Sequence, residues 1–159
     1  MPIAGQRIGK IVLCGIVLTA VAAAGIWTLR NLSNSETHAD ADNPSQVALG
    51  RTVYARHCAT CHGVNLEGEP NWQTRKPTGR LPAPPHDASG HTWHHPDAQL
   101  FGIIKNGITP YAPAGYQSDM PAFGGMLSDE QAWAVLSYIK NSWPPNIRER
   151  QADISERSE

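Results

Sequence analysis

Cysteine is scarce in this chain: three in 159 residues, at Cys14, Cys58 and Cys61. They supply one C-x-x-C and no second, so neither a four-thiolate zinc site nor a pair of redox dithiols can be assembled. Met is equally rare at three copies, and Phe rarer at two. No H-E-x-x-H run and no nucleophile–base pair is present, which removes the usual marks of a metallohydrolase or a covalent hydrolase. Charge is nearly balanced, 13 Lys and Arg against 14 Asp and Glu, and no basic stripe exists. Phosphate backbones are bound by such stripes, so no nucleic-acid partner is expected. No internal repeat and no convincing strand pattern is found.

What is there begins with Cys58-Ala59-Thr60-Cys61-His62. C-x-x-C-H is the run at which haem is attached through two thioethers, with the adjacent histidine as an axial iron ligand. One turn of chain presents two thiols to the two vinyl groups of one porphyrin, and the next side chain reaches the iron from the same side. A thioredoxin-like dithiol or half of a zinc site are the competing readings of a bare C-x-x-C. The motif predicts one covalent haem c, with Cys58 and Cys61 as attachment points and His62 as ligand.

The first 30 residues hold Arg7, Lys10 and Arg30 and no acidic side chain, so the remainder carries −4 of formal charge. Ile11 to Leu29 is uncharged. As a helix it would cover roughly 28 Å, close to the thickness of a bilayer's hydrocarbon core. Arg7, Lys10 and the amino terminus outweigh Arg30 as positive flanks, which predicts a cytoplasmic N-terminus and a single pass. Ala22-Ala23-Ala24 provides a signal-peptidase site for the alternative, a cleaved signal peptide. The apolar run continues past it through Ile26, Trp27 and Leu29, which favours the uncleaved anchor. Cys14 follows bulky Leu13 and sits too early for a lipoprotein; it reads as a small apolar side chain facing lipid.

These features divide the chain into a signal-anchor at 1–30, a flexible polar linker at 31–43, a compact domain at 44–145 and a polar C-terminal tail at 146–159. The tail has only Ile147 and Ile154 as large apolar residues and is expected to be a frayed helix or disordered. Three helices are expected in the domain. The first starts at a Ser45 cap and carries Leu49 and Val53 into Cys58. The second opens at Pro96, carries Leu100, Ile103 and Ile104, and stops at Asn106-Gly107. The third opens on the capping box Ser128-Asp129-Glu130-Gln131, carries Trp133, Leu136 and Ile139, and ends at Pro144-Pro145. The long Gly- and Pro-rich loops between them need an internal organiser. A haem is such a disc.

A sixth ligand must lie downstream of His62: methionine, a second histidine or nothing. Met120, in Ser118-Asp119-Met120-Pro121-Ala122-Phe123, is held extended by Pro121 and is the leading candidate. Met126 stands two residues before the Ser128 cap and reads as a staple or a packing residue.

On these residues the segment 44–145 resembles the class I cytochromes c. The resemblance rests on Gly50 and Tyr54 before Cys58-x-x-Cys61-His62-Gly63, then Met120-Pro121-x-Phe123, then Leu136-x-Tyr138-Ile139. It implies an all-α fold of three main helices and long loops wrapped around one covalent haem, which here follows the one N-terminal transmembrane helix that the uncharged run predicts. It implies His62 and Met120 as axial ligands, and a close crossing of the first and last helices with Gly50 against Tyr138 or a neighbouring aromatic. It also implies a proline carbonyl that receives the hydrogen bond of the histidine's other ring nitrogen. Pro82, Pro84 and Pro85 all stand in the right stretch.

One segment departs from the plain pattern. His86, His91, His94 and His95 fall within ten positions, with Asp87 among them. Three readings remain open: a polar loop in which Trp93 packs on the haem and His95 caps the next helix, a copper or zinc site, and a histidine displacing Met120. Trp72, Arg75, Arg80, Trp93 and Tyr116 are candidate donors to the haem propionates by residue type.

A six-coordinate iron with a soft thioether ligand is suited to carrying electrons and leaves no position for substrate. The expected role is therefore a non-enzymatic electron carrier tethered to the bacterial inner membrane, with the haem domain outside. Its expected donors are a quinol-oxidising complex or a dehydrogenase, and its acceptors an oxidase or a copper protein. The alternative is a haem-based sensor or a copper-handling protein using an open iron site or the histidine cluster.

Overall fold

The computed structural model describes residues 38–158, which are helical with no strand among them. The expected membrane helix, Cys14 and the linker as far as residue 37 lie outside the described residues. Among the described residues no helix is long and apolar enough to cross a membrane.

Helix α1 spans Pro44–His57 and runs into the single turn α2, Ala59–His62. A long irregular stretch follows, ending in a 3-10 turn at Thr92–His94. Helix α3 is Asp97–Asn106, α4 is Asp129–Asn141 and α5 is Pro145–Glu156. The cap of α1 is Asn43 and not the expected Ser45: the Asn43 carboxamide accepts from the backbone N–H groups of Ser45 and Gln46, both at 3.1 Å. Both residues are good caps, and Pro44 settles the register by occupying the first helical position, where its missing N–H costs nothing. Pro96 stands at the N-cap position of α3, one residue before the first helical position expected for it, with no side-chain cap bond, and Gly107, with φ of 76°, ends the helix at the expected place. The capping box of α4 is present with both of its hydrogen bonds, between Ser128 and Gln131.

α1 and α4 cross at Gly50. A Cβ at this position would overlap the carbonyl oxygen of Ala134 and lie 2.9 Å from Cβ of Tyr138. Only glycine lets the two backbones meet. The contact closes a core of Val53, Tyr54, Leu66, Phe123, Leu127, Val135, Ile139 and Trp143. A smaller cluster of Ala39, Leu100 and Leu136, with Phe101 stacked on Trp133 at 4.2 Å, joins α3 to α4.

Two segments belong to the folded body although their sequence is polar. Residues 38–43 are not free linker. Ala39 and Ala41 are buried. The Asp40 N–H reaches Ser137 Oγ at 2.9 Å, and Asn141 Nδ2 donates to the Ala41 carbonyl at 2.9 Å. The tail is corrected as well: Pro145 opens α5 instead of terminating the helical region. Gln151 of α5 is fully buried and donates from Nε2 to Asp97 Oδ1 at 2.6 Å, while Lys140 Nζ pairs with Asp97 Oδ2 at 2.6 Å. A buried amide and ammonium meet on one half-buried carboxylate and dock this helix where apolar residues are too few, although Gln151 Oε1 has no partner among the described residues.

Gly50→Ala is expected to destabilise the haem-loaded protein by about 3 kcal/mol or more, since two backbones must part to admit one methyl. Denaturant unfolding measures this, and an unchanged midpoint would show that the crossing is looser than described.

Candidate haem site

The haem motif lies at the end of α1. The Cys58 N–H donates to the Tyr54 carbonyl at 2.8 Å, and the N–H groups of Cys61 and His62 both return to the Cys58 carbonyl, at 3.1 and 2.9 Å. These bonds make the single turn that puts both thiols and the imidazole on adjacent positions. Gly63, with φ of 81°, then reverses the chain. Tyr54 Oη donates to the Gly63 carbonyl at 3.0 Å, which ties the start of the next loop to α1. Burial raises the Tyr54 hydroxyl far above its ordinary range, with neighbouring acidic groups adding, so it remains a donor.

Cys58 is half-buried and Cys61 exposed, and both thiols are free. Burial pushes the Cys58 thiol up to about 11, with Cys61 adding to the effect. His62 is buried at 8 % exposure, and its Nδ1 lies 2.8 Å from the carbonyl oxygen of Pro84. That contact chooses Pro84 among the three prolines. With the Nδ1–H donating, the lone pair resides on Nε2, the nitrogen free to bind a metal. Burial lowers the His62 pKa, opposed by the Pro84 carbonyl, so the ring is kept in the neutral form a metal requires.

Pro84 is placed by a brace that the sequence did not announce. The Glu69 N–H donates to the Ala83 carbonyl at 2.9 Å, and the Glu69 carboxylate accepts the Ala83 N–H at 2.7 Å. Lys76 Nζ holds the same carboxylate at 3.0 Å. The Ala83 bond and then Lys76 draw the Glu69 pKa below its ordinary value. Gly68 permits the approach, because a Cβ there would lie 2.5 Å from Pro85 N.

The methionines are separated by burial. Met120 packs on the main core cluster, whereas Met126 is 57 % exposed. The loop bearing Met120 is pinned on its far side, where Phe123 and Gly124 donate to the carbonyls of Ile104 and Lys105, each at 2.9 Å. On its near side Asp119 pairs with Arg80, and Arg75 lies 5.7 Å above the Tyr116 ring.

The histidine cluster does not converge. His86 is stacked on His62 at 4.0 Å, His91 on Trp72 at 5.2 Å and His94 on Trp93 at 3.7 Å, while His95 meets His91 edge-on. Among the described residues no group of three or more metal-ligating side chains comes together, so the copper or zinc reading of His86–His95 is not supported. His86 also lies on the ring of His62 itself, the wrong place for a ligand on the opposite face of the iron. Of the candidate propionate donors, Arg75 and Arg80 have protein partners, and the buried indole N–H of Trp93 has no acceptor among the described residues.

A family model described as cytochrome c matches residues 47–143. The chain belongs to the cytochrome c family. It is 31 % identical over 100 residues to cytochrome c-555 of Prosthecochloris aestuarii, covering 60 % of this chain and 86 % of that one. It is 25 % identical over 131 residues to the cbb3-type cytochrome c oxidase subunit FixP of Sinorhizobium medicae (strain WSM419), which covers 79 % of this chain and 41 % of FixP. Thiosulfate dehydrogenase of Stutzerimonas stutzeri (strain A1501) is 32 % identical over 100 residues, 62 % of this chain and 28 % of that protein. The chain thus spans about two fifths of FixP and less of the dehydrogenase. No solved structure matches.

The cofactor of this class I c-type cytochrome is covalent haem c, and its chemistry is haem-based electron transfer. The residues fit the group. Two free thiols stand one turn apart beside a buried histidine whose Nδ1 is held by Pro84, which puts the ring's lone pair on Nε2, and a buried indole N–H in the same domain has no acceptor among the described residues.

Proposed function

We propose that this cytochrome is a single-haem electron carrier in which Cys58 and Cys61 hold the porphyrin while His62 and Met120 ligate the iron. The observation that carries the reading is the Nδ1 contact of His62 with Pro84, which fixes the ring and leaves Nε2 as donor. Bound haem c supplies an iron that exchanges one electron between the ferric and ferrous states. The chain's part is to keep the same ligands in both. Pro84 holds His62, and the bonds of Phe123 and Gly124 to the end of α3 hold the Met120 loop, so electron exchange needs little rearrangement. Core packing supports Met120 over the exposed Met126.

The partners are redox proteins that dock transiently over a small surface. Similarity to a named oxidase subunit and a named dehydrogenase supports an oxidase as acceptor and a dehydrogenase as donor. A quinol-oxidising complex and a copper protein are the other members of each class. The uncharged run Ile11–Leu29 serves as an uncleaved anchor in the bacterial inner membrane, with the haem domain on the periplasmic side. Tethering raises the concentration of the domain near membrane-bound partners.

Met120→Leu should abolish the weak far-red band of iron–methionine ligation and open the reduced iron to CO, while Met126→Leu leaves both as in the parent. The reverse pattern would move the ligand to Met126. In cells producing the full chain, the haem protein should stay with the membrane fraction after osmotic shock. Its release would mean cleavage near Ala24.

A further inference from the structure

The Pro84 hydrogen bond fixes one atom of His62, not the plane of its ring. A single donor–acceptor contact leaves the imidazole free to tilt about the line joining the two atoms. The face of the ring is covered by His86, at 4.0 Å between centroids and 21° from parallel. His86 is itself held on every side. Its N–H donates to the Leu66 carbonyl at 2.7 Å, and its own carbonyl accepts Trp143 Nε1 at 2.8 Å. Its Nδ1 shares a 2.8 Å hydrogen bond with the buried Thr92 hydroxyl, and its edge meets Tyr54 at 6.3 Å. Backbone and ring are both tied, and among the described residues the stacked neighbour of this ring is His62.

We propose that His86 is a positioning residue for electron transfer: its stacked ring sets the plane of the His62 imidazole and lowers the potential of the iron bound there. The inference rests on His62 being the iron ligand. The plane of an axial imidazole decides which iron d orbitals it overlaps, so it governs the anisotropy of the ferric low-spin signal. The potential follows from charge. A histidine on ferric iron is more cationic than on ferrous iron, and an aromatic face laid against it favours the more cationic state.

The test uses the haem-loaded full chain, read by electron paramagnetic resonance of the ferric form and by redox titration. His86→Phe keeps a flat ring and should retain the parent's signal shape and a potential near the parent's. His86→Leu fills the space without a face and should spread the signal and raise the potential. Thr92→Val loosens the ring without removing it and should broaden the signal on its own. His86→Leu matching the parent in both readouts would overturn the inference, as would equal shifts in His86→Phe and His86→Leu, which would indicate packing alone. If His86→Leu does not accumulate, Thr92→Val decides: a broadened signal supports positioning, and an unchanged one overturns it. A parent protein without a low-spin histidine–methionine signal would instead defeat the ligand assignment, and this inference with it.

Discussion

The hydrogen bond from His62 Nδ1 to the Pro84 carbonyl is the constraint that the rest of the site is arranged around. Taken alone such a bond contributes only about 1 kcal/mol, yet it decides which nitrogen faces outward and therefore whether the histidine can bind iron at all. The chain commits a long loop to presenting that one oxygen. Residues after the motif lie against residues before the histidine cluster, joined through Leu66 with His86 and through Glu69 with Ala83, and Lys76 closes the arrangement over the Glu69 carboxylate. Proline suits the acceptor position, since its ring fixes φ and it has no N–H to seek another partner.

The helices serve as the frame for this loop. The crossing of α1 and α4 at Gly50 sets where Cys58 emerges, and Tyr54, one turn earlier, ties the loop after the motif to the same helix. Around the family domain the chain adds a belt at each end. Residues 38–43 are bonded to α4, and α5 is bonded to α3 and α4 through the Gln151, Asp97 and Lys140 group. Asp42 and Arg148 join the two belts to each other at 2.7 Å. The belts are polar, so they hold by direction and pairing of groups more than by area.

Those differences explain what could be read from the amino acids and what could not. Cys58-x-x-Cys61-His62 is a chemical signature, Ser128 with Gln131 is a local one, and Gly50 carries a packing meaning once a helix is expected there. Choosing among Pro82, Pro84 and Pro85 was beyond the sequence, because all three have a carbonyl and only the fold aims one. The histidine cluster stayed open for a similar reason. Four rings close in sequence suggest a common metal, but each ring finds an aromatic neighbour and the four diverge. The last helix was illegible because its docking depends on one buried amide, which no hydrophobic periodicity reports.

Family membership, the free thiols and the geometry of His62 together describe a protein that holds a covalent haem, and on the proposed reading Met120 closes the iron on its other side. The most direct measurement is the absorption spectrum of the reduced, haem-loaded protein before and after addition of CO. A closed His62 and Met120 pair predicts a low-spin c-type spectrum that CO leaves unmoved. Rapid formation of a CO adduct by the parent protein would contradict the account, because an open iron belongs to a sensor and not to an electron carrier.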